Sequence, residues 1–203
     1  HGSLWIDPTV SSIAALQRDY AGEVLMSVTS SVISQAVSRM NLDGRPLMVH
    51  SSLRSFGRVS GGPKTVIDGL LAQECTVMVP TFSIIYELTP PEEGRPLRNG
   101  IDYDTYQMDP AGAELIYSTD SNEINDRRFS MGAIPKFLLS MDGRHRGNHA
   151  RSSFAAMGPL SAELIAPQSP SDIYSPIGKL SSLGGFVALM GVGLTSMTAL
   201  HLA

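Results

Sequence analysis

The residues with the most chemical promise lie in two short stretches. In the first, a strand-like run, "LMVHSS" (47–52), ends in His50, Ser51 and Ser52 and passes into a loop carrying Gly57, Gly61 and Gly62 before Pro63. A strand that ends in small hydroxyl residues leaves backbone N–H groups free at its carboxyl end. Glycines let the backbone approach a ligand closely, and the following helix start adds a partial positive charge. Together these make a cradle for phosphate or pyrophosphate. The pattern is neither a Walker loop, which needs Gly-Lys-Ser/Thr, nor the dinucleotide Gly-x-Gly-x-x-Gly. A plain connector is the competing reading.

In the second stretch, His149 precedes Ser152, Ser153 and a short apolar strand starting at Phe154. This puts an imidazole near a sheet end, where binding sites gather in α/β folds, and such a group serves as a general base near neutral pH. The other histidines read more plainly: His50 as a core strand residue, His145 as a solvated turn residue, His201 as packing against the sheet. Ser51, Ser52, Ser152 and Ser153 are candidate nucleophiles, but none sits in a Gly-x-Ser-x-Gly elbow. No His-Glu-x-x-His spacing occurs, and Cys75 is the only cysteine, so no metal site is expected. The run "RHRGNHAR" (144–151) reads as a phosphate contact or, more simply, as a solvated turn. Gly191 and Gly193 read as a tight turn.

The elements that must position these residues alternate. Val28, Val32, Ile33, Ala36, Val37 and Met40 recur at helical spacing, and "NLDGRP" (41–46) stops that helix. Val66, Ile67, Leu70 and Leu71 form a second apolar stripe behind Pro63. "CTVMVPTF" (75–82) is a buried strand in which Cys75 serves as a small hydrophobe. Ile134, Phe137, Leu138 and Met141 mark a further helix, "FAAMG" (154–158) a strand, "SAELI" (161–165) a helical turn, and "GGFVALMGVG" (184–193) a strand entering a glycine turn. "TSMTALHLA" (195–203) is expected to begin a helix. The expected fold is α/β: a central mixed β-sheet flanked by helices as an α/β/α sandwich, one domain over residues 4–203. A long irregular insertion over about 85–130 interrupts it, rich in Pro, Gly and acids, and reads as a functional lid or a surface excursion. His1, Gly2 and Ser3 look like a tag remnant.

Apolar residues make up 42% of the 203 positions and charged ones 17%, which is a globular profile. A net charge of −4 argues against nucleic acid as the main partner. No apolar run of membrane-spanning length and no signal-peptide pattern occur, so no membrane partner and a cytoplasmic location are expected.

Three separated stretches resemble the aminoglycoside 3-N-acetyltransferases, a family of antibiotic N-acetyltransferases distinct from the GNAT enzymes. They are "LMVHSSLRSFGRVSGGPKTVIDGLL" (47–71), "HARSSFAAMGP" (149–159) and "SPIGKLSSLGGFVALMGVGLTSMTALHLA" (175–203), in the family's order. In the second, Ala150 replaces the family's proline; in the third, Met197 stands where Asn is usual. The family pattern continues past Ala203 with a glutamate.

The resemblance implies acetyl-coenzyme A as cosubstrate and a small amine, of aminoglycoside type, as acceptor. It implies coenzyme contacts at His50, Ser51, Ser52, Leu53, Arg54, Ser55, Phe56, Gly57 and Val59, with Ser153 and Phe154 beside them. It carries the catalytic histidine onto His149 and a hydroxyl near the thioester onto Thr198. Glu92, Asp102 and Asp104 are the candidate anchors for a polycationic acceptor. A homodimer is compatible with this reading. The alternatives are a coenzyme A-binding relative without acyl transfer, or with a different amine, and an acyl-ester hydrolase.

Overall fold

The computed structural model describes residues 27–87, 90–95, 102–105, 115–125 and 130–202. Its elements in chain order are α1 (Ser30–Arg39), β1 (Pro46–Ser51), α2 (Pro63–Leu71), β2 (Thr76–Pro80), α3 (Ala133–Leu139), β3 (His145–Arg146), β4 (Phe154–Met157), α4 (Ser161–Ile165), α5 (Ser175–Ser182) and β5 (Phe186–Met190). The strands form one five-stranded sheet in the order β3-β4-β2-β1-β5. β1 runs parallel to both β2 and β5, whereas β4 is antiparallel to β2 and to β3. This is the mixed sheet expected from the sequence.

Strand alternation explains the layers. Leu47, Val49, Val77, Val79 and Ala155 face one core, filled from the helix side by Ile33, Val37, Val66, Ile67, Leu70, Ile134 and Leu138. Met48, Met78, Phe154, Ala156 and Val187 face the other, filled by Leu164, Ile165, Ile177 and Leu180. So α1, α2 and α3 cover one face, and α4 and α5 the other. Because β1 and β2 are covered on both sides, their sequences read as continuous apolar runs without polar alternation.

The first helix is shorter than its apolar stripe. Thr29 is its N-cap, with Oγ1 accepting from the Val32 N–H at 3.4 Å. Val28 precedes the cap and pairs instead with Val59 in an isolated parallel bridge, which fastens the loop after β1 to the chain entering α1. Met40 is the C-cap and is exposed. The expected C-terminal helix is two 3-10 turns, Leu194–Ser196 and Thr198–Leu202, divided by the extended backbone of Met197 (φ −84°, ψ 95°). Within the expected insertion, regular structure among the described residues is limited to 3-10 turns at Ile84–Tyr86 and Glu92–Gly94. Among the described residues, no helix is long and apolar enough to cross a membrane.

The basic run around residue 145 is not simply a solvated turn, because Arg144 and Arg146 are engaged within the protein. Arg146 is 4% exposed. Its guanidinium donates to the carbonyls of Thr81 (3.1 Å), Ser121 (2.7 Å) and Glu123 (2.7 Å) and to the hydroxyls of Ser83 (2.9 Å) and Ser153 (3.0 Å). It also lies 5.2 Å from the centre of the Tyr117 ring. Burial lowers its pKa, yet guanidinium remains charged. Arg144 donates to the carbonyls of Leu139, Thr119, Asp120 and Ser121 and to Asn122 Oδ1. The two arginines therefore bind the returning end of the insertion, residues 117–123, to β3 and the end of β2. Cys75 is fully buried, as expected, with its thiol 3.3 Å from the Leu42 carbonyl.

His50, on β1, is 6% exposed, and its Nε2 has no hydrogen-bond partner among the described residues. Burial lowers its pKa from 6.5 to about 4, so the ring is neutral in the folded protein.

Two outcomes test this packing. A Cβ at Gly69 would lie 2.6 Å from Ile33 Cβ and 2.7 Å from the Ser30 carbonyl, because α1 and α2 touch there. Gly69→Ala is expected to destabilise the protein by about 1–3 kcal/mol in denaturant unfolding, despite alanine's better helix propensity. For His50, the folded pKa lies below the unfolded value, so the unfolded chain binds more protons between them. Its stabilising contribution is complete above about pH 6.5 and is lost as pH falls toward about 4, on the order of 3 kcal/mol in all. Unfolding at several pH values should show this acid-side loss shrinking in His50→Leu relative to the parent protein.

Candidate active site

All three stretches singled out in the sequence meet at one end of the sheet. β1, β2 and β5 are parallel, so the chain leaving each emerges at a common carboxyl edge. β4 opposes β2 with Pro80 paired to Phe154, so the residues before Phe154, including His149, enter at that same edge. The Thr81 N–H donates to the Ser153 carbonyl at 2.9 Å and the Ser83 N–H to the Arg151 carbonyl at 2.8 Å, extending the pairing beyond the strands.

The loops after β1 and β5 are locked together. The Ser52 N–H donates to the Met190 carbonyl at 3.0 Å, and Ser55 Oγ donates to the Gly191 carbonyl at 2.9 Å. Gly191 has φ +75°, and a Cβ there would sit 2.4 Å from Ser55 Cβ. The tight-turn reading of this glycine thus has two causes, a left-handed backbone and a neighbour in contact.

A cleft of about 830 Å³ opens beside the loop after β1. One wall is Ser51 to Arg54, Gly57, Val59 and Gly62, the last being the residue before α2. The other wall is Asn125, Ser130 to Ala133, and Lys136. Asn125 is fixed from both sides: its Oδ1 accepts from the Ile84 N–H at 2.6 Å, and its carbonyl accepts from the Met131 N–H at 2.9 Å. Strand alternation sends Ser51 toward the α2–α3 side, while His50 points to the opposite face with Met48.

Of the expected coenzyme contacts, Ser51, Ser52, Leu53, Arg54, Gly57 and Val59 line this cleft. His50, Ser55 and Phe56 do not; Phe56 is 4% exposed and packs in the first core. Ser153 and Phe154 are fully buried. Ser153 Oγ lies within hydrogen-bonding distance of Thr81 and receives the Arg146 Nε–H, and the Phe154 ring meets Phe82 edge-on at 5.8 Å. Their side chains hold the segment from beneath rather than line the cleft.

His149 is half-buried at the sheet edge, outside the cleft lining. Its Nδ1 accepts the Ser152 N–H at 3.0 Å, so the neutral ring carries its proton on Nε2. Its pKa is lowered, first by burial and further by the Arg151 charge. Thr198 lies in the last 3-10 turn, between Met197 and Ala199, which pack on the second core. His201 is exposed and stacks on Tyr174 at 5.6 Å, rather than packing against the sheet as expected. His145 is exposed, with Nδ1 3.1 Å from Ser161 Oγ.

Glu92, Asp102 and Asp104 are exposed and lie outside the cleft lining. Asp102 closes a turn, accepting from the Asp104 N–H at 3.1 Å and the Thr105 hydroxyl at 2.7 Å, and the Thr105 bond lowers its pKa. Among the described residues, no group of three His, Cys, Asp or Glu side chains is placed to hold a metal.

Sequence reasoning missed the second wall. Its signal was the far side of α3, where Ala133 and Lys136, three residues apart, share the face opposite to buried Ile134 and Leu138.

The arrangement has close parallels. A family-wide sequence profile described as aminoglycoside 3-N-acetyltransferase matches residues 48–203. The aminoglycoside N(3)-acetyltransferase IX of Micromonospora chalcea is 31% identical over 185 residues, covering 86% of this chain and 60% of that protein. The aminoglycoside N(3)-acetyltransferase III of Acinetobacter baumannii is 31% identical over 186 residues, covering 86% and 59%. The chain thus spans about three-fifths of the length of these relatives. Among solved structures, YokD from Bacillus subtilis matches with a TM-score of 0.67 at 28% identity, covering 86% of this chain and 69% of that one. The aminoglycoside acetyltransferase AAC(3)-Xa matches with a TM-score of 0.68 at 28% identity, covering 94% and 64%. A profile match running from within β1 to the last residue, on the same fold, means that this chain belongs to the aminoglycoside 3-N-acetyltransferase family.

Proposed function

We propose that the protein transfers an acetyl group from acetyl-coenzyme A to an amine of an aminoglycoside-type acceptor. The observation that carries this reading is the cleft at the carboxyl edge of β1, whose first wall is the glycine loop that the family resemblance assigns to the coenzyme. Family membership supports the acetyl donor, and the names of the relatives support the acceptor class.

In this reaction the amine nitrogen attacks the thioester carbonyl carbon, the C–S bond breaks, and a proton passes from the amine to the departing thiolate. Holding donor and acceptor together supplies much of the acceleration. His149 is the candidate base. Its lowered pKa keeps it unprotonated at neutral pH, which suits a group that must accept a proton. The lone pair that would do so is on Nδ1 and is engaged by the Ser152 N–H. Base action therefore requires the ring to exchange that bond for the amine proton. Thr198 is the proposed hydroxyl near the thioester, and Glu92, Asp102 and Asp104 are proposed to attract the polycationic acceptor. A homodimer belongs to the same proposal and is read by sedimentation of the full-length protein.

The engaged Nδ1 also favours a second reading, coenzyme A binding without acyl transfer. Thiol release separates the two. With acetyl-coenzyme A and a panel of aminoglycosides, release supports the transferase; tight coenzyme binding by calorimetry with no release from any amine supports the second reading. For an active protein, His149→Ala should lower kcat by about 10²- to 10⁴-fold with little change in KM for acetyl-coenzyme A. The acid limb of kcat/KM should have its midpoint below 6.5, since the base is lost only when pH falls through its depressed pKa. Unchanged turnover in His149→Ala would remove His149 from the role.

A further inference from the structure

The turn that carries His149 is held at two points through a single residue, Arg151. The Arg151 carbonyl accepts the Ser83 N–H at 2.8 Å. Its guanidinium turns back to the same segment, with Nε 3.0 Å from Glu87 Oε2. Glu87 closes the 3-10 turn Ile84–Tyr86, its N–H donating to the Ile84 carbonyl at 2.8 Å. Main chain and side chain together thus clamp residues 149–153 to the chain leaving β2.

The two ends of this ion pair are unequal. The Glu87 side chain is 14% exposed and its Oε2 is buried, whereas the Arg151 side chain is 56% exposed. Among the described residues Oε2 has no aligned hydrogen-bond donor, so what it meets is the charge of Arg151. A carboxylate set in the fold keeps that charge in one place. An untethered arginine so exposed would spend its time in water, where its field is screened.

The fixed charge has a titratable neighbour. The other groups near His149 are directed elsewhere: Arg144 donates to Leu139 and to residues 119–122, Arg146 is buried among carbonyls and hydroxyls, and His145 meets Ser161. Tyr117 donates to the Gly147 carbonyl at 2.5 Å, and burial raises its pKa, so it stays neutral. Arg151 is the charge that acts on the imidazole, adding to burial in lowering its pKa.

From this we infer that Glu87, outside the three family stretches, is a positioning residue for His149: it holds the Arg151 guanidinium near the imidazole, so that the ring stands next to a fixed positive charge. The inference rests on the reading of His149 as the base. A cation held there opposes imidazolium and keeps the ring ready to accept a proton at lower pH.

The titration midpoint of His149 tests this, followed by NMR of the histidine-labelled full chain and assigned by the signal lost in His149→Ala. In Arg151→Gln the midpoint should rise by about half a pH unit. Glu87→Gln should raise it similarly, because Arg151 is then released, and the double variant should rise no further than either single one. Arg151→Lys, which keeps a cation opposite Glu87, should stay near the parental midpoint. A merely structural ion pair would lower the melting temperature and leave the midpoint in place. A parental or lowered midpoint in Glu87→Gln, or additive shifts in the double variant, would overturn the inference. In an active protein the acid limb of kcat/KM should move to higher pH by the same amount. If the midpoint shifts as expected but no aminoglycoside releases thiol, the positioning stands and the transferase reading fails. If thiol is released but the midpoint does not move, the transferase reading stands and the positioning fails.

Discussion

A guanidinium taken out of water must find acceptors for its donors, because an unsatisfied buried charge is among the costliest features a fold can contain. Among the described residues Arg146 does this without a carboxylate, by collecting main-chain carbonyls from the end of β2 and from residues 121 and 123, with two serine hydroxyls and the face of Tyr117. Each acceptor belongs to a part of the chain with little regular structure of its own. Through this one side chain the entry to β4, the exit from β2 and the returning end of the irregular region become a single piece. Asn125, two residues beyond the last of these carbonyls, then continues the connection into the cleft wall.

Around that anchor the sheet does two separate jobs. Its interior strands, apolar on both faces, divide the helices into two cores and require no polar contribution. Its carboxyl edge gathers the candidate site residues, because parallel strands deliver their exits to one side and the antiparallel β4 brings His149 to the same side. The mixed topology is thus what allows segments about a hundred residues apart to share an edge.

Much of this was legible in the sequence, for reasons specific to each element. β1, β2 and β5 are unbroken apolar runs bounded by turn formers, and the glycine loop after β1 has few readings. Of the nine contacts that the family resemblance implied there, six line the first wall of the cleft, whereas His50, Ser55 and Phe56 do not. The second wall was not legible, since Lys136 is one charged position on an ordinary amphipathic helix and only tertiary packing turns it toward the loop. Arg144 and Arg146 were misread because a cluster of cations in a short turn normally faces water, and nothing local announces the carbonyls that satisfy them. The segment after Gly193 has helix-compatible residues, but the extended Met197 divides it into separate turns. Buried Ser153 and Phe154 show the limit of motif reasoning, which marks a segment as belonging to a site without saying which way its side chains face.

The opposite orientations of His50 and Ser51 have an implication for how this family can vary. A shift of β1 by a single position would present an imidazole to the cleft and a hydroxyl to the interior beneath α4 and α5, while also exchanging every aliphatic side chain between the two layers. Gain or loss of one residue inside β1 would be a double lesion, of folding and of recognition together. The register of β1 is therefore fixed by both of its neighbours and by both cores at once.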